Sequence, residues 1–467
     1  MSISRRHFLK TCGWVTVGFM GLQQLSCISS KNGMAITNKS LIADGFGPLV
    51  PDPKGILDLP AGFVYKVISR AGKKMDDGFF VPGVPDGMAT FPGPDGLTIL
   101  IRNHEVNPGK SGAFGKNHEL FSNIAADKVY DSGGGISPGC GGTTTIVYDT
   151  KKQQVVTEYL SLAGTLRNCA GGPTPWNSWI TCEETEDLKG SKGGVVFDED
   201  HGYNFEVPAS AEIQLAEPIA LKAMGRFRHE AVAVDPKTGI VYQTEDRDDG
   251  LIYRFIPNVP DKLAEGGRLQ ALVVIDGPQD TRNWSGDQIP VGASYATRWI
   301  DMEDVEAPKD DLRDRGYDAG AARFARGEGM WRGEDGIYFA CTSGGKAELG
   351  QIWRYIPGAA EGTPDERKSP GKLELFAEPN DSNLVSNADN LTVAPWGDLI
   401  VCEDRSGDVV RLVGVTPEGK LYTLANHHKR TEFAGATMSP DGSTLFVNMQ
   451  GIGWTVAITG PWENRIG

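Results

Sequence analysis

Six copies of one short phrase run through this 467-residue chain, and five of them carry an acid or a thiol at the same point. The copies begin Pro85-Asp86-Gly87-Met88, Asn168-Cys169-Ala170-Gly171, His229-Glu230-Ala231-Val232, Gly327-Glu328-Gly329-Met330, Ala388-Asp389-Asn390-Leu391 and Ala434-Gly435-Ala436-Thr437. Each continues through an apolar run to a turn such as Pro94-Asp95-Gly96, Pro395-Trp396-Gly397 or Pro440-Asp441-Gly442, and a second apolar run follows. In four copies that second run ends on acids: Asn103-His104-Glu105, Glu183-Glu184, Glu245-Asp246 and Glu403-Asp404. Short apolar bursts bounded by Gly, Pro, Asn or Asp are the signature of strands. A repeated unit of this kind cannot bury its own faces, so copies must pack on one another, and four-stranded units repeated radially make a β-propeller.

The expectation is therefore an all-β fold, a six-bladed β-propeller with long loop insertions at 106–140 and 257–322. Third strands are expected at 144–148, 194–197, 251–255, 351–355 and 409–412, and outer strands at 373–376 and 421–424. The 60 Gly and 28 Pro fit a chain of many turns. A net charge of -15 argues against a nucleic-acid partner, which would need a basic face.

In a propeller blade the innermost strand starts at one face of the disc, and the second strand returns to that face. Asp86, Cys169, Glu230, Glu328 and Asp389 should then form a ring at one mouth of the central channel. Asn103, Glu105, Glu183, Glu184, Glu245, Asp246, Glu403 and Asp404 should crowd beside it. Carboxylates gathered in a narrow mouth must be protonated or matched by cations. Ca²⁺ takes six to eight oxygen ligands, whereas a thiolate suits a transition metal. The sixth copy has Gly435 at the ring position, which should leave that side open, with Glu432 within reach. Arg326, two residues before Glu328, is a candidate to grip an anion. Asn103 is a candidate donor for orienting a phosphoryl oxygen. The chain has seven His and no HExxH, which weighs against a histidine-based metal centre.

At the N-terminus, Ser4-Arg5-Arg6-His7-Phe8-Leu9-Lys10 precedes an apolar stretch too short for a membrane span. This is the pattern of a twin-arginine export signal, assigned to residues 1–30, with a single propeller domain over 31–467. It implies the twin-arginine export machinery as a partner and a periplasmic or secreted destination. Cys27 is a weak candidate for a lipid anchor. Of the other cysteines, Cys182, Cys341 and Cys402 occupy equivalent second-strand positions and read as core packing, while Cys169 stands at the acid position.

The leader, Arg102-Asn103-His104-Glu105, the run from Asn168 to Trp176 with Thr181-Cys182-Glu183-Glu184, Arg228-His229-Glu230-Ala231, Arg323 to Gly329, and Asn387 to Leu391 together resemble the PhoX alkaline phosphatase family. The stretch from Ala296 to Asp301 departs from the Asp-Arg-Pro-Glu-like run expected of that family, as a sister branch would. The resemblance implies a secreted six-bladed phosphatase that uses Fe3+ and Ca2+ ions. By motif position, Cys169, Glu230 and Glu328 would contact iron, and Glu184, Glu183, Glu105, Asp86 and Asp389 would be iron or calcium ligands. Asn103 and Arg326 would hold phosphate. The function expected is metal-dependent hydrolysis of small phosphate monoesters. The alternatives are a calcium-dependent lactonase or phosphotriesterase, for which Cys169 has no use, and a non-catalytic propeller stabilised by calcium.

Overall fold

The computed structural model describes residues 41–286, 289–405 and 407–466. The expected export signal and Cys27 lie outside the described residues. Within them the chain is all-β and propeller-like, with one α-helix, Leu312–Asp318. Six antiparallel hairpins carry the six sequence copies. They pair Pro85–Pro92 with Thr98–His104, Asn168–Pro173 with Ser178–Glu183, and His229–Val234 with Val241–Glu245. They then pair Gly327–Arg332 with Ile337–Cys341, Ala388–Val393 with Leu399–Glu403, and Phe433–Met438 with Thr444–Met449. The first strands of successive hairpins pack side by side in a closed cycle, the sixth returning against the first.

Because each sheet lies between two neighbours, its second strand is buried on both faces rather than alternating. Ile337–Cys341 and Leu399–Glu403 are buried along their whole length. The core clusters fill the spaces between sheets, and Cys182, Cys341 and Cys402 sit fully buried within them as small hydrophobes. On the axis the inner strands approach so closely that only about 20 Å³ remains, lined by Met88, Trp179, Met330 and Trp331 among others. That space is about the size of one water molecule, so the axis is narrow at this level.

Two expectations about the outer strands need correction. The segment 194–197 is not the third strand of the second unit. Val195–Phe197 instead forms a small hairpin with Gly190–Lys192, and Asn204–Pro208 takes the place beside Ser178–Glu183. Nor is 257–322 a loop throughout. It contains the outer strand Gly267–Val274 and then Ser294–Asp301, which pairs with Gly267–Val274 on one side and Lys372–Ala377 on the other. This strap joins the third and fourth units into one nine-stranded sheet. The insert 106–140 has no strand and only three single-turn 3-10 helices. The strand Val64–Arg70, from early in the chain, supplies the outer edge of the sixth unit against Trp454–Thr459.

Candidate metal centre

The same local device places every ring residue. In all six hairpins the pairing register slips between the residue before the ring position and the second residue after it, as between Pro85 and Met88 or Gly327 and Met330. The ring residue therefore lies in a β-bulge, which bends the strand and re-aims the side chain. Two residues upstream, Val84, Arg167, Arg326 and Asn387 hold positive φ angles of 48°, 45°, 54° and 57°. Such a corner is strained for any residue but Gly or Asn, and strain of this kind gathers at functional sites. The carbonyl of each corner residue accepts a hydrogen bond from the residue after strand two: Glu105, Glu184, Thr342 and Asp404 donate at 2.9, 3.0, 2.9 and 2.9 Å. Ring residue and strand-two exit are thus locked together at one mouth.

Carboxylate oxygens of Glu230, Glu328 and Asp389 all lie within 4.8 Å of one another. Glu230, Glu328 and Asp86 are buried, and burial, followed by the charges of the neighbouring acids, pushes their carboxyls far above the usual range. Asp389 is pushed up to about 7, by burial and then by Asp404. Glu432 does reach the mouth, within hydrogen-bond distance of Asp404, and burial with that contact pushes it up to about 10. Asp86 accepts a hydrogen bond from Gln450 Nε2 at 2.8 Å. The Cys169 thiol packs 3.3 Å from the His229 carbonyl and stands outside the three-carboxylate group. Burial and the charge of Glu230 push it well above the usual thiol range. Crowded buried carboxyls of this kind must hold protons or bind cations. Three converging carboxylates are the donor set of a hard cation, and only a bound cation would let the thiol ionise beside them. The residues fit a metal centre.

Beyond the ring, strand alternation divides the expected acids into two groups. Glu183, Glu245 and Glu403, each the last residue of its strand, turn away from the mouth. Glu183, expected as a ligand, has both oxygens engaged: it accepts from Leu166 N, His201 Nδ1, Gly202 N and Tyr203 N at 2.9, 2.7, 2.9 and 3.3 Å. His201 also bonds Asp131 at 2.9 Å. Burial opposes charge on that ring, but Glu183 and Asp131 prevail and push it up to about 9. Glu245 accepts from Leu251 N and Tyr253, and Glu403 from Ser386 N and Arg411. These acids tie loops to sheets. Asn103 is likewise no free donor. Its amide nitrogen bonds the Cys169 and Ala170 carbonyls at 3.1 and 2.6 Å, while its oxygen accepts from Trp179 and Thr181. It ties the first unit to the second beneath the ring.

One residue further on, Glu105, Glu184, Asp246 and Asp404 do face the mouth. Arg326 binds Asp246 at 2.8 and 3.2 Å, Glu328 at 2.7 Å and Asp404 at 3.4 Å. Arg167 bridges Glu105 and Glu184. The sequence reading missed Arg167, although its signal was present: it stands two residues before Cys169, as Arg326 stands two before Glu328. Gly435 does not leave a gap. A Cβ there would lie 2.3 Å from the Asp86 carbonyl oxygen, and its φ is 61°, so only glycine lets the sixth strand close on the first.

The family profile for alkaline phosphatase PhoX matches residues 44–147 and 141–453. Among solved structures, Pseudomonas fluorescens PhoX in complex with vanadate, described as a transition-state analogue, superposes with a TM-score of 0.66 at 18% identity, over 91% of this chain and 99% of that one. A gluconolactonase from Xanthomonas campestris aligns more loosely, with a TM-score of 0.36 at 13% identity, over 89% and 98% of the two chains. No curated protein sequence matches the chain.

Proposed function

The chain belongs to the alkaline phosphatase PhoX family and is a phosphatase, and from that premise we propose that it hydrolyses phosphate monoesters at the axial mouth with bound iron and calcium ions. The observation that carries this reading is the convergence of Glu230, Glu328 and Asp389 within 4.8 Å beside Arg326, whose NH2 group is 2.7 Å from Glu328. These three carboxylates would hold the ions, with Asp86 on the adjoining hairpin and Cys169 as the thiolate that favours iron. Cations bound there supply positive charge for the phosphoryl oxygens and the means to activate water. Arg326 meets the phosphoryl group from the rim. Asp246 holds the guanidinium in a two-point grip while the contact to Asp404, at 3.4 Å, is the weakest and the first to yield to an incoming anion. The closed cycle of six hairpins supports reading the fold as a six-bladed propeller.

The test is elemental analysis of natively exported protein together with hydrolysis of p-nitrophenyl phosphate. Both iron and calcium are expected, chelation should abolish turnover, and Cys169→Ala should lose iron. Full activity after chelation would sink the reading, and calcium without iron would favour the lactonase or phosphotriesterase alternative. The Arg5-Arg6 leader supports reading the protein as exported to the periplasm or beyond through the twin-arginine machinery, with Cys27 as a lipid attachment point. Replacing Arg5 and Arg6 by Lys should leave it in the cytoplasm, as fractionation would show.

A further inference from the structure

We infer that Arg228 receives a second negative charge of the substrate, favouring phosphate monoesters whose leaving alcohol carries a carboxylate or a further phosphate group. That choice of substrate rests on the phosphatase reading above. Arginines stand two residues before the ring position in three repeats: Arg167, Arg228 and Arg326. The first and third are fully engaged. Arg167 donates from Nε to the Glu184 carbonyl, from NH1 to Asn107 and from NH2 to the Glu184 and Glu105 carboxylates. Arg326 likewise spends Nε, NH1 and NH2 on Asp246, Asp404 and Glu328. Arg228 differs. Its Nε donates to Glu186 Oε2 at 2.8 Å, but among the described residues no acceptor meets NH1 or NH2 in a hydrogen bond. The Glu184 carboxylate lies 3.7 Å from NH1, beyond hydrogen-bond reach.

Arg228 belongs to the same mouth as Arg326. Its carbonyl accepts from Asp246 N at 3.1 Å, and the charges of Glu184 and Asp246 both act on its guanidinium. Two guanidiniums thus share Asp246 as a neighbour: Arg326, in a two-point grip, and Arg228, free of any hydrogen bond to it. The Arg228 side chain is 35% exposed, so its outer end meets solvent at the rim. Glu186 fixes its inner edge and is itself steadied by Arg247, whose NH2 lies 3.2 Å from Glu186 and 2.8 Å from Asp310. Lys192, on the exposed strand Gly190–Lys192 and paired with Asp187, stands close enough for its charge to act on Arg228. An arginine anchored at Nε with NH1 and NH2 open presents a planar pair of donors, the edge that a carboxylate or a phosphate engages at two points. With Arg326 assigned to the reacting phosphoryl group, Arg228 is placed for a charge elsewhere on the ester.

Steady-state kinetics of the natively exported holoenzyme on matched esters test this. Glycerol phosphate and phosphoglycerate share a skeleton and differ in carrying a hydroxymethyl group or a carboxylate; a sugar monophosphate and its bisphosphate form the second pair. The wild type should show the higher kcat/KM on the more charged member, mainly through KM. Arg228→Gln should lower that ratio about tenfold in at least one pair, the worth of one charge-assisted hydrogen bond. Arg228→Lys should recover part of it, because it keeps the charge without the planar fork. A ratio unchanged in both pairs in folded Arg228→Gln overturns the inference. So does an equal loss on both members of each pair, which a merely structural tie to Glu186 would give. Should Arg228→Gln fail to fold, the wild type decides: a preference that fades with added salt supports the inference, and equal kcat/KM within both pairs overturns it. A wild type that cleaves no ester sinks the phosphatase reading and this inference with it, whereas one that cleaves all four without preference sinks the inference alone.

Discussion

At the scale of the residue, buried polar side chains decide more than their sequence neighbours do. Asn103 lies within its strand and Glu105 just beyond its end, so Asn103 turns into the seam between two sheets while Glu105 faces the mouth. Removing the Asn103 amide would leave two carbonyls, Trp179 and Thr181 without their partner. Asn103→Ala should lower stability by roughly 2–3 kcal/mol in urea unfolding. His201 gives a pH dependence. Its folded value of about 9 lies above the roughly 6.5 expected in the unfolded chain. The stabilisation is therefore complete below about pH 6.5 and is lost as pH rises through about 9, roughly 3 kcal/mol at most. Melting temperature followed from pH 6 to 10 should fall in the wild type, and His201→Gln should flatten that slope. The convergence of Glu230, Glu328 and Asp389 was legible in the sequence, because a repeat position fixed the direction of each. The partners that engage Glu183 and Asn103 were not legible, because hydrogen bonds from distant segments leave no mark in local spacing.

At the scale of the element, the working unit is a hairpin with a bulge at its entrance. The bulge aims the ring side chain and lets the following small residue meet the next strand. A Cβ on Gly329 would lie 2.6 Å from the Asn390 Cα. Gly329→Val should therefore cost more than about 3 kcal/mol or prevent folding, as soluble yield and circular dichroism would report. Gly435→Ala adds backbone strain to a clash with Asp86 and should destabilise without widening any entrance. The strands were visible in the chain as apolar runs between turn residues. The bulges were not, since one unpaired residue changes no composition. The third strand of the second unit was misplaced for a related reason: 194–197 and Asn204–Pro208 both read as short apolar segments, and only pairing chose between them.

At the scale of the whole molecule, closure is made by partners far apart in the chain. Val64–Arg70 completes the unit whose other strands end near residue 459. Deleting residues before 71 should bare the edge of Trp454–Thr459. Such protein should aggregate and lose its cooperative melt, measurable by size exclusion and calorimetry. Closure also concentrates charge, bringing acids from five hairpins to one mouth. The sequence by itself determined the all-β repeat, the resemblance to a phosphatase family and the identity of the ring residues, because each is written in local pattern at a fixed period. Only the tertiary structure decided which acids meet, which are already satisfied by loops, and that Arg167 stands among them. Those outcomes depend on side-chain direction and on contacts between segments up to hundreds of residues apart, which no local pattern encodes.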